Sequence, residues 1–297
     1  GPVHVWALGV GIVLGGEFMG WNFSVGKGGA MGALIACWVI GLLYICVAMI
    51  DSEVTSTVAA AGGQYAQAKH IMGPLMAFNV GLYLVMAYTM LEAADALIVG
   101  DLLTILAEQT GYDALDPKPF VILIISMLAF LNYRGVFMTL TLNFIITAAA
   151  FVTIVILFVG VQPWTAGAVL KHSDLLTDLP YGWIGVIAAF QFGIWYYLGI
   201  EGTCQAAEEV RSPSRSLPLG TMTGIMTLLI AATLTWYVCS GLLPWEYLGQ
   251  ATVPLYDAAR MTGSTTLQVF LFVGTLFAAT ASANGCINDA SRAWFSM

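Results

Sequence analysis

Eight apolar runs, each long enough to cross a bilayer, limit what this chain can fold into. A helix needs ~20 apolar residues to span ~30 Å of hydrocarbon. Runs that meet this measure fall at about 5–23, 29–50, 74–105, 119–136, 138–162, 182–207, 219–243 and 266–296. Charged residues make up only 9% of the 297 positions, against roughly a quarter in soluble domains. The expectation is an all-α integral membrane protein whose standing partner is the lipid bilayer. Nine basic residues face 17 acidic ones, a formal charge of −8. With no basic cluster, a nucleic-acid partner is excluded. The first run is too long for a signal peptide and has no basic leader.

Two of the runs are too irregular for plain anchors. Gly9 to Phe23 reads G-V-G-I-V-L-G-G-E-F-M-G-W-N-F, with five glycines and one carboxylate, Glu17. Glycine weakens a helix by about 1 kcal/mol relative to alanine. A charged carboxylate at mid-membrane costs roughly 2.5–3.5 kcal/mol on insertion scales. Non-helical backbone at that depth survives only where protein buries it or it lines a cavity. The pattern predicts a broken helix at a substrate site. The sixth run repeats it: A-A-F-Q-F-G-I-W-Y-Y-L-G-I-E-G-T-C-Q carries Gly193, Gly199 and Gly202, and Glu201 follows a glycine. Two interrupted spans five apart are the expected mark of an inverted repeat with the ligand between the breaks. Trp195, Tyr196 and Tyr197 sit in the second break, where at least one of them is expected to wall the pocket.

Other polar groups inside the runs are fewer. Glu92 and Asp95 lie three apart in the third run, on neighbouring faces of one helix. Intramembrane acids usually face the bundle interior and serve function. Glu92 is the deeper and is read as a substrate or proton-handling group, Asp95 as a partner to a neighbouring helix. Asp51 and Glu53 read as a solvated helix end, and Gly62-Gly63 as a turn or re-entrant break. In the eighth run Thr280, Ser282 and Asn284 either line a cavity or permit close helix packing. Cys37, Cys46, Cys204, Cys239 and Cys286 all fall in apolar runs without metal spacing, and read as small fillers. His4, His70 and His172 are scattered, which argues against a membrane enzyme, and no repeated pore motif marks a channel. Residues 108–118, 163–181 and 243–264 read as external loops. Lys69, Arg134, Arg211, Arg215 and Arg292 would then lie on one side, with Lys27, Lys118, Lys171 and Arg260 on the other. That balance places the amino terminus in the cytoplasm, in a plasma (inner) membrane.

The Gly-rich first run, A-G-G-Q-Y after the second, N-Y-R-G-V after the fourth and A-A-E-E-V-R-S-P-S-R-S-L-P after the sixth resemble the amino acid–polyamine–organocation permeases. Within that family G-G-E-F-M-G-W looks most like the ethanolamine permeases. The resemblance implies a twelve-span protein with the five-plus-five inverted-repeat (leucine-transporter) fold, broken at helices 1 and 6. On that template residues 1–162 form the first repeat, and 163–297 begin the second, helices 6–8. It also implies alternating-access transport of an amine-bearing solute, often proton-driven.

Most relatives have glycine where Glu17 stands, and there the exposed amides meet a substrate carboxylate. A fixed carboxylate would repel that group and attract an ammonium. Glu17, with carbonyls freed at Leu14, Gly15 and Gly16, is therefore expected to hold an amine lacking a carboxylate, ethanolamine first. Tyr196 and Trp195 would add cation–π contact and closure. By resemblance Trp195 closes over the substrate, Glu201 serves proton-linked gating and Ser282 faces the cavity; Tyr197 and Gly199 complete the expected wall. Some proton-coupled relatives carry a fifth-span lysine where this chain has Ala150. No cofactor is expected, and the coupling ion is H+ or Na+. The alternative within the family is an amino acid permease or an amino acid/amine exchanger, with Glu17 as a proton site.

Overall fold

The apolar runs become helices close to the expected limits. In a computed structural model, residues 1–109, 111, 116–162, 179–205, 207–210 and 212–297 are described. Helix α1 spans Pro2–Phe18, α2 Phe23–Thr57, α3 Gln64–Ile71, α4 Pro74–Gln109, α5 Lys118–Arg134 and α6 Val136–Val161. Then come α7 at Gly182–Gly193, α8 at Pro213–Leu242, α9 at Trp245–Leu248, α10 at Pro254–Met261 and α11 at Thr265–Ser296. Helices α1, α5, α8 and α10 carry a proline in the first turn, where its missing N–H is no loss. Among the described residues there is no strand, and five helices are long and apolar enough to cross a membrane. The chain is an all-α multi-pass membrane protein.

Both expected interruptions are present. After α1, Met19 is fully extended (φ −158°, ψ 156°), and Gly20 adopts φ 93°, a region that favours glycine. Helix resumes at Phe23 but kinks at Gly29 (φ 69°, ψ −177°). Residues 23–28 thus form a short half-helix set off from the long arm 30–57. The second interruption follows α7. A 3-10 turn at Ile194–Tyr196 leads through Gly199 (φ 108°) into a second 3-10 segment, Ile200–Cys204. Such tight turns are used in short pieces and often mark hinges.

The loop expected at 243–264 is partly helical, because it contains α9 and α10. Asp51 and Glu53 lie within α2, which runs to Thr57, and Asp51 accepts a hydrogen bond from Gln64 Nε2 at 3.2 Å. Trp164, Lys171, His172 and Arg211 lie outside the described residues.

Helix α1 is the axis of the bundle, packed against α8, α11 and α6, while α2 lies along α7 and α8, and α4 along α11. Its glycines set the rotational phase. A Cβ at Gly9 would meet Ile200 and Thr203, one at Gly11 Asn143 and Thr147, and one at Gly15 Ser282 and Asp95. Small residues let helix backbones approach where no side chain could fit. Around this axis Leu14, Phe18, Trp21, Tyr196 and Tyr197 form the centre of the largest buried cluster.

Candidate functional site

A cavity of about 240 Å³ opens between the two interruptions. Gly15 and Gly16 of α1, Met19 and Gly20 of the first break, and Trp195 and Leu198 of the second supply its walls, with Thr252 and Ser282. From α4 come Leu91, Ala94, Asp95 and Ile98, a spacing that lies on one helix face. Asp95 is the one charged group among the described lining residues. It is 4% exposed, and its Oδ2 accepts no hydrogen bond from the described residues. Asp95 Oδ1 and Ser282 Oγ converge on Gly15: a Cβ there would stand 3.1 and 3.2 Å from them. The absence of a side chain at Gly15 thus leaves the polar end of the cavity open.

Trp195 closes the opposite wall. Its ring lies against Gly20, where a Cβ would come within 3.1 Å of Cδ2, and its carbonyl oxygen packs against the Cα of Gly16. Helix α1 and the second break therefore touch backbone to backbone, which only a glycine at position 16 permits.

The first break falls at Met19–Asn22, just past the Gly15-Gly16 pair. The Met19 N–H still donates to the Gly15 carbonyl at 3.1 Å, so the ladder runs through Gly15. Gly20 N–H then turns to Asn22 Oδ1 at 3.1 Å. Asn22 Nδ2 donates to the carbonyls of Leu248 and Ala251, at 2.6 and 2.8 Å. A buried side chain from the break is thus tied to the α9 segment.

Glu17 stands two residues past Gly15, about 200° further round the helix, and is not among the cavity-lining residues. It is fully buried, close to Thr235 of α8, Cys37 of α2, Tyr196 and Tyr197. Neither carboxylate oxygen accepts a hydrogen bond from the described residues. The nearby Thr235 hydroxyl donates instead to the Ala232 carbonyl at 3.0 Å.

The remaining expected site residues divide between cavity and support. Gly15, Gly16, Trp195 and Ser282 meet in the cavity. Leu14 is packed in the core. Tyr196 stacks on Trp21 with ring centroids 5.5 Å apart, and the Tyr197 hydroxyl donates to the Cys37 carbonyl at 2.9 Å. Gly199 turns the backbone, and its N–H donates to Glu201 Oε2 at 3.0 Å, which places Glu201 past the break. Glu92 is 9% exposed with Oε1 unpartnered, on a face of α4 beside the lining one. Asp95, which sequence reasoning placed second to Glu92, is the carboxylate that enters the cavity. The signal available for it was its spacing with Leu91, Ala94 and Ile98.

Far from the cavity, α11 is clamped to the segment following the second break. Arg292 pairs with Glu209 at 2.6 Å and Glu208 at 3.7 Å. Its Nε donates to Asn288 Oδ1 at 3.0 Å, and Asn288 in turn donates to Asp289 Oδ1 at 3.0 Å.

The fold is that of a helical membrane protein in which two interrupted helices meet around a small cavity lined by one carboxylate, Asp95. The chain belongs to the amino acid permease family, whose family model matches residues 1–297. It is 73% identical, over its whole length and 64% of the relative's, to a protein of Rhizobium meliloti named as an uncharacterized transporter. A methylthioribose transporter of Bacillus subtilis is 25% identical over 92% of this chain and 61% of its own. A branched-chain amino acid permease of the same organism is 22% identical over 100% of this chain and 66% of its own. The chain thus spans a little under two thirds of the curated relatives it matches.

Proposed function

We propose that the protein is a secondary transporter for a small organic amine, ethanolamine first, working by alternating access and coupled to protons across the plasma (inner) membrane. The observation that carries this reading is the cavity's charge. Asp95 is its one charged group among the described lining residues, and no lysine, arginine or histidine lines it to neutralise a substrate carboxylate. An ammonium facing Asp95 at ~4 Å would be attracted by about 4 kcal/mol at an effective dielectric near 20, before desolvation is subtracted. The backbone amides at the break argue the same way. Met19 and Gly20 N–H are both engaged, by Gly15 and Asn22, so neither is free to receive a carboxylate. Asp95, with the Ser282 hydroxyl, takes the role first expected of Glu17. Trp195 would close over the amine with cation–π contact. A volume of about 240 Å³ lies below the ~300–1,000 Å³ of drug-sized sites and suits a solute of a few heavy atoms.

The second reading, an amino acid permease or exchanger, draws on the name of the branched-chain amino acid permease among the relatives. The two separate in a competition experiment on labelled ethanolamine uptake by the protein in proteoliposomes. Serine adds a carboxylate to the substrate, and ethylene glycol lacks the amine. Inhibition by neither, with uptake lost in Asp95→Asn, is the expected result. Strong inhibition by serine moves the assignment to amino acids. Undiminished ethanolamine binding in Asp95→Asn removes the amine site from Asp95. The expected loss is at least about tenfold in affinity, equivalent to about 1.4 kcal/mol.

A further inference from the structure

Glu17 is the one sequence feature that the cavity does not absorb. Its carboxylate is fully buried on the far side of α1, among groups from α2, the second break and α8. The groups that face it are Cys37 from α2, Tyr196 and Tyr197 from the break, and Thr235 from α8. Cys239 of α8 stands beside Tyr196. Among the described residues no lysine, arginine or histidine pairs with Glu17, and the three salt bridges lie elsewhere. Both Glu17 oxygens and the Tyr196 hydroxyl are buried without a hydrogen-bond partner among the described residues. Tyr197 is committed to the Cys37 carbonyl, and the Thr235 hydroxyl, though close to Glu17, donates to Ala232. An isolated ionised carboxylate in such surroundings is far more costly than a neutral acid. A charged Glu17 therefore has no cationic partner among the described residues, and a bound proton neutralises it.

We propose that this buried, unpartnered carboxylate is the proton-coupling site of the carrier: Glu17 takes one proton from water on one side of the membrane and returns it on the other. The balance is simple, with a carboxylate plus a proton on one face and the same carboxyl group losing that proton on the other. No redox partner is involved. Placement gives the coupling. Glu17 is adjacent to Gly16, against which the Trp195 carbonyl packs, and two residues from Gly15, where Asp95 and Ser282 converge. Charging Glu17 disfavours its packed seat against Tyr196 and Thr235. The seat of α1 against the second break is thereby linked to the proton, while the opposite face of the same helix turn holds the amine. This inference deepens the carrier reading and rests on it, but it does not depend on which amine is carried.

The test uses proteoliposomes with the membrane potential clamped at zero. One proton moved per substrate under a one-unit pH gradient sustains about tenfold accumulation. Wild type is expected to reach it. Glu17→Gln is expected to fall to about onefold while amine binding and substrate exchange stay within about threefold of wild type, because the uncharged amide mimics a permanently protonated acid. Asp95→Asn loses binding and exchange together, so failure of the amine site is read separately. Three results overturn the proposal. The first is retained pH-driven accumulation in Glu17→Gln. The second is amine binding lost in a Glu17→Gln protein whose melting temperature is unchanged, which returns Glu17 to the substrate site. The third is accumulation in wild type driven by a sodium gradient alone, which makes Glu17 a cation site. Should Glu17→Gln fail to fold, infrared difference spectra of the unmodified protein across a pH step replace it. A carboxylic-acid carbonyl band that shifts in Glu17→Asp supports the site, and a spectrum identical in the two proteins refutes it.

Discussion

Two neighbouring glycines on α1 do different work, and alanine separates them. At Gly16 a new Cβ would run into the carbonyl oxygen of Trp195, with its carbonyl carbon 3.1 Å away. Backbone cannot rotate aside as a side chain can, so α1 and the second break must move apart. Overpacking of this kind costs about 1–3 kcal/mol, and Gly16→Ala is expected to lower the melting temperature and abolish transport together. At Gly15 the new Cβ would meet Asp95 Oδ1 at 3.1 Å, which can rotate aside, and Ser282 Cβ at 3.0 Å, which yields only by a shift of a few tenths of an ångström of α11. Gly15→Ala should therefore keep most of the stability but occupy the polar end of the cavity. Thermal melts with and without ethanolamine check the pair. The ligand-induced stabilisation should vanish in Gly15→Ala although its unliganded melting temperature stays near wild type. Equal melting temperatures for Gly16→Ala and wild type would mean that the backbone contact is unimportant.

At the scale of the helical element, the interruption in the first span is held by Asn22. Its amide donates to Leu248 and Ala251 while its carbonyl receives Gly20 N–H. Truncation takes these partners from the Ala251 carbonyl and the Gly20 N–H, while Leu248 keeps the Ala251 N–H at 3.3 Å; a buried group left unsatisfied costs about 1–3 kcal/mol. Asn22→Ala is expected to destabilise the fold measurably in a denaturant or thermal series and to loosen the half-helix 23–28. Faster hydrogen exchange confined to residues near 19–28 and 245–251 would confirm the tie, and a change confined to neither segment would refute it. This bond explains why the sequence foretold a break but not its position. Gly15 and Gly16 marked the region, yet the end of α1 is set by partners more than two hundred residues away, which no local pattern reveals. The same holds for the choice of carboxylate. Glu17 and Asp95 were both visible as intramembrane acids. Which one enters the cavity depends on the rotational phase of α1, fixed by the contacts that Gly9, Gly11 and Gly15 make with other helices. What depends on apolar length alone, the spans themselves, was legible to within a few residues at most ends. The second break was legible too, because Gly193 ends α7 and Gly199 lies in the unwound stretch itself.

For the molecule as a whole, the proposed alternating access needs a contact that closes one end of the bundle while the other opens, and the Arg292 clamp has the right connections. It joins α11, which carries Ser282 of the cavity, to Glu208 and Glu209, which follow the second break. Arg292 is only 11% exposed, and its Nε is held by Asn288. The pair is thus less open to screening than surface pairs worth about 0–1 kcal/mol. The nearer thiol reporter is Cys204, buried in the 3-10 segment Ile200–Cys204. In a variant whose other cysteines are replaced, Arg292→Gln should raise the alkylation rate of Cys204 by a soluble maleimide about fivefold or more. That corresponds to about 1 kcal/mol shifted toward the opened state. Raised ionic strength should produce a smaller effect of the same sign in wild type, since only the exposed part of the clamp is screened. Ethanolamine, if it favours the closed arrangement around Trp195, should slow the same reaction in both proteins, because a ligand shifts the equilibrium only toward the state it binds better. An alkylation rate unmoved by Arg292→Gln would leave the clamp a static brace. The closing contact would then have to be sought between α1 and the second break, where Gly16 meets Trp195.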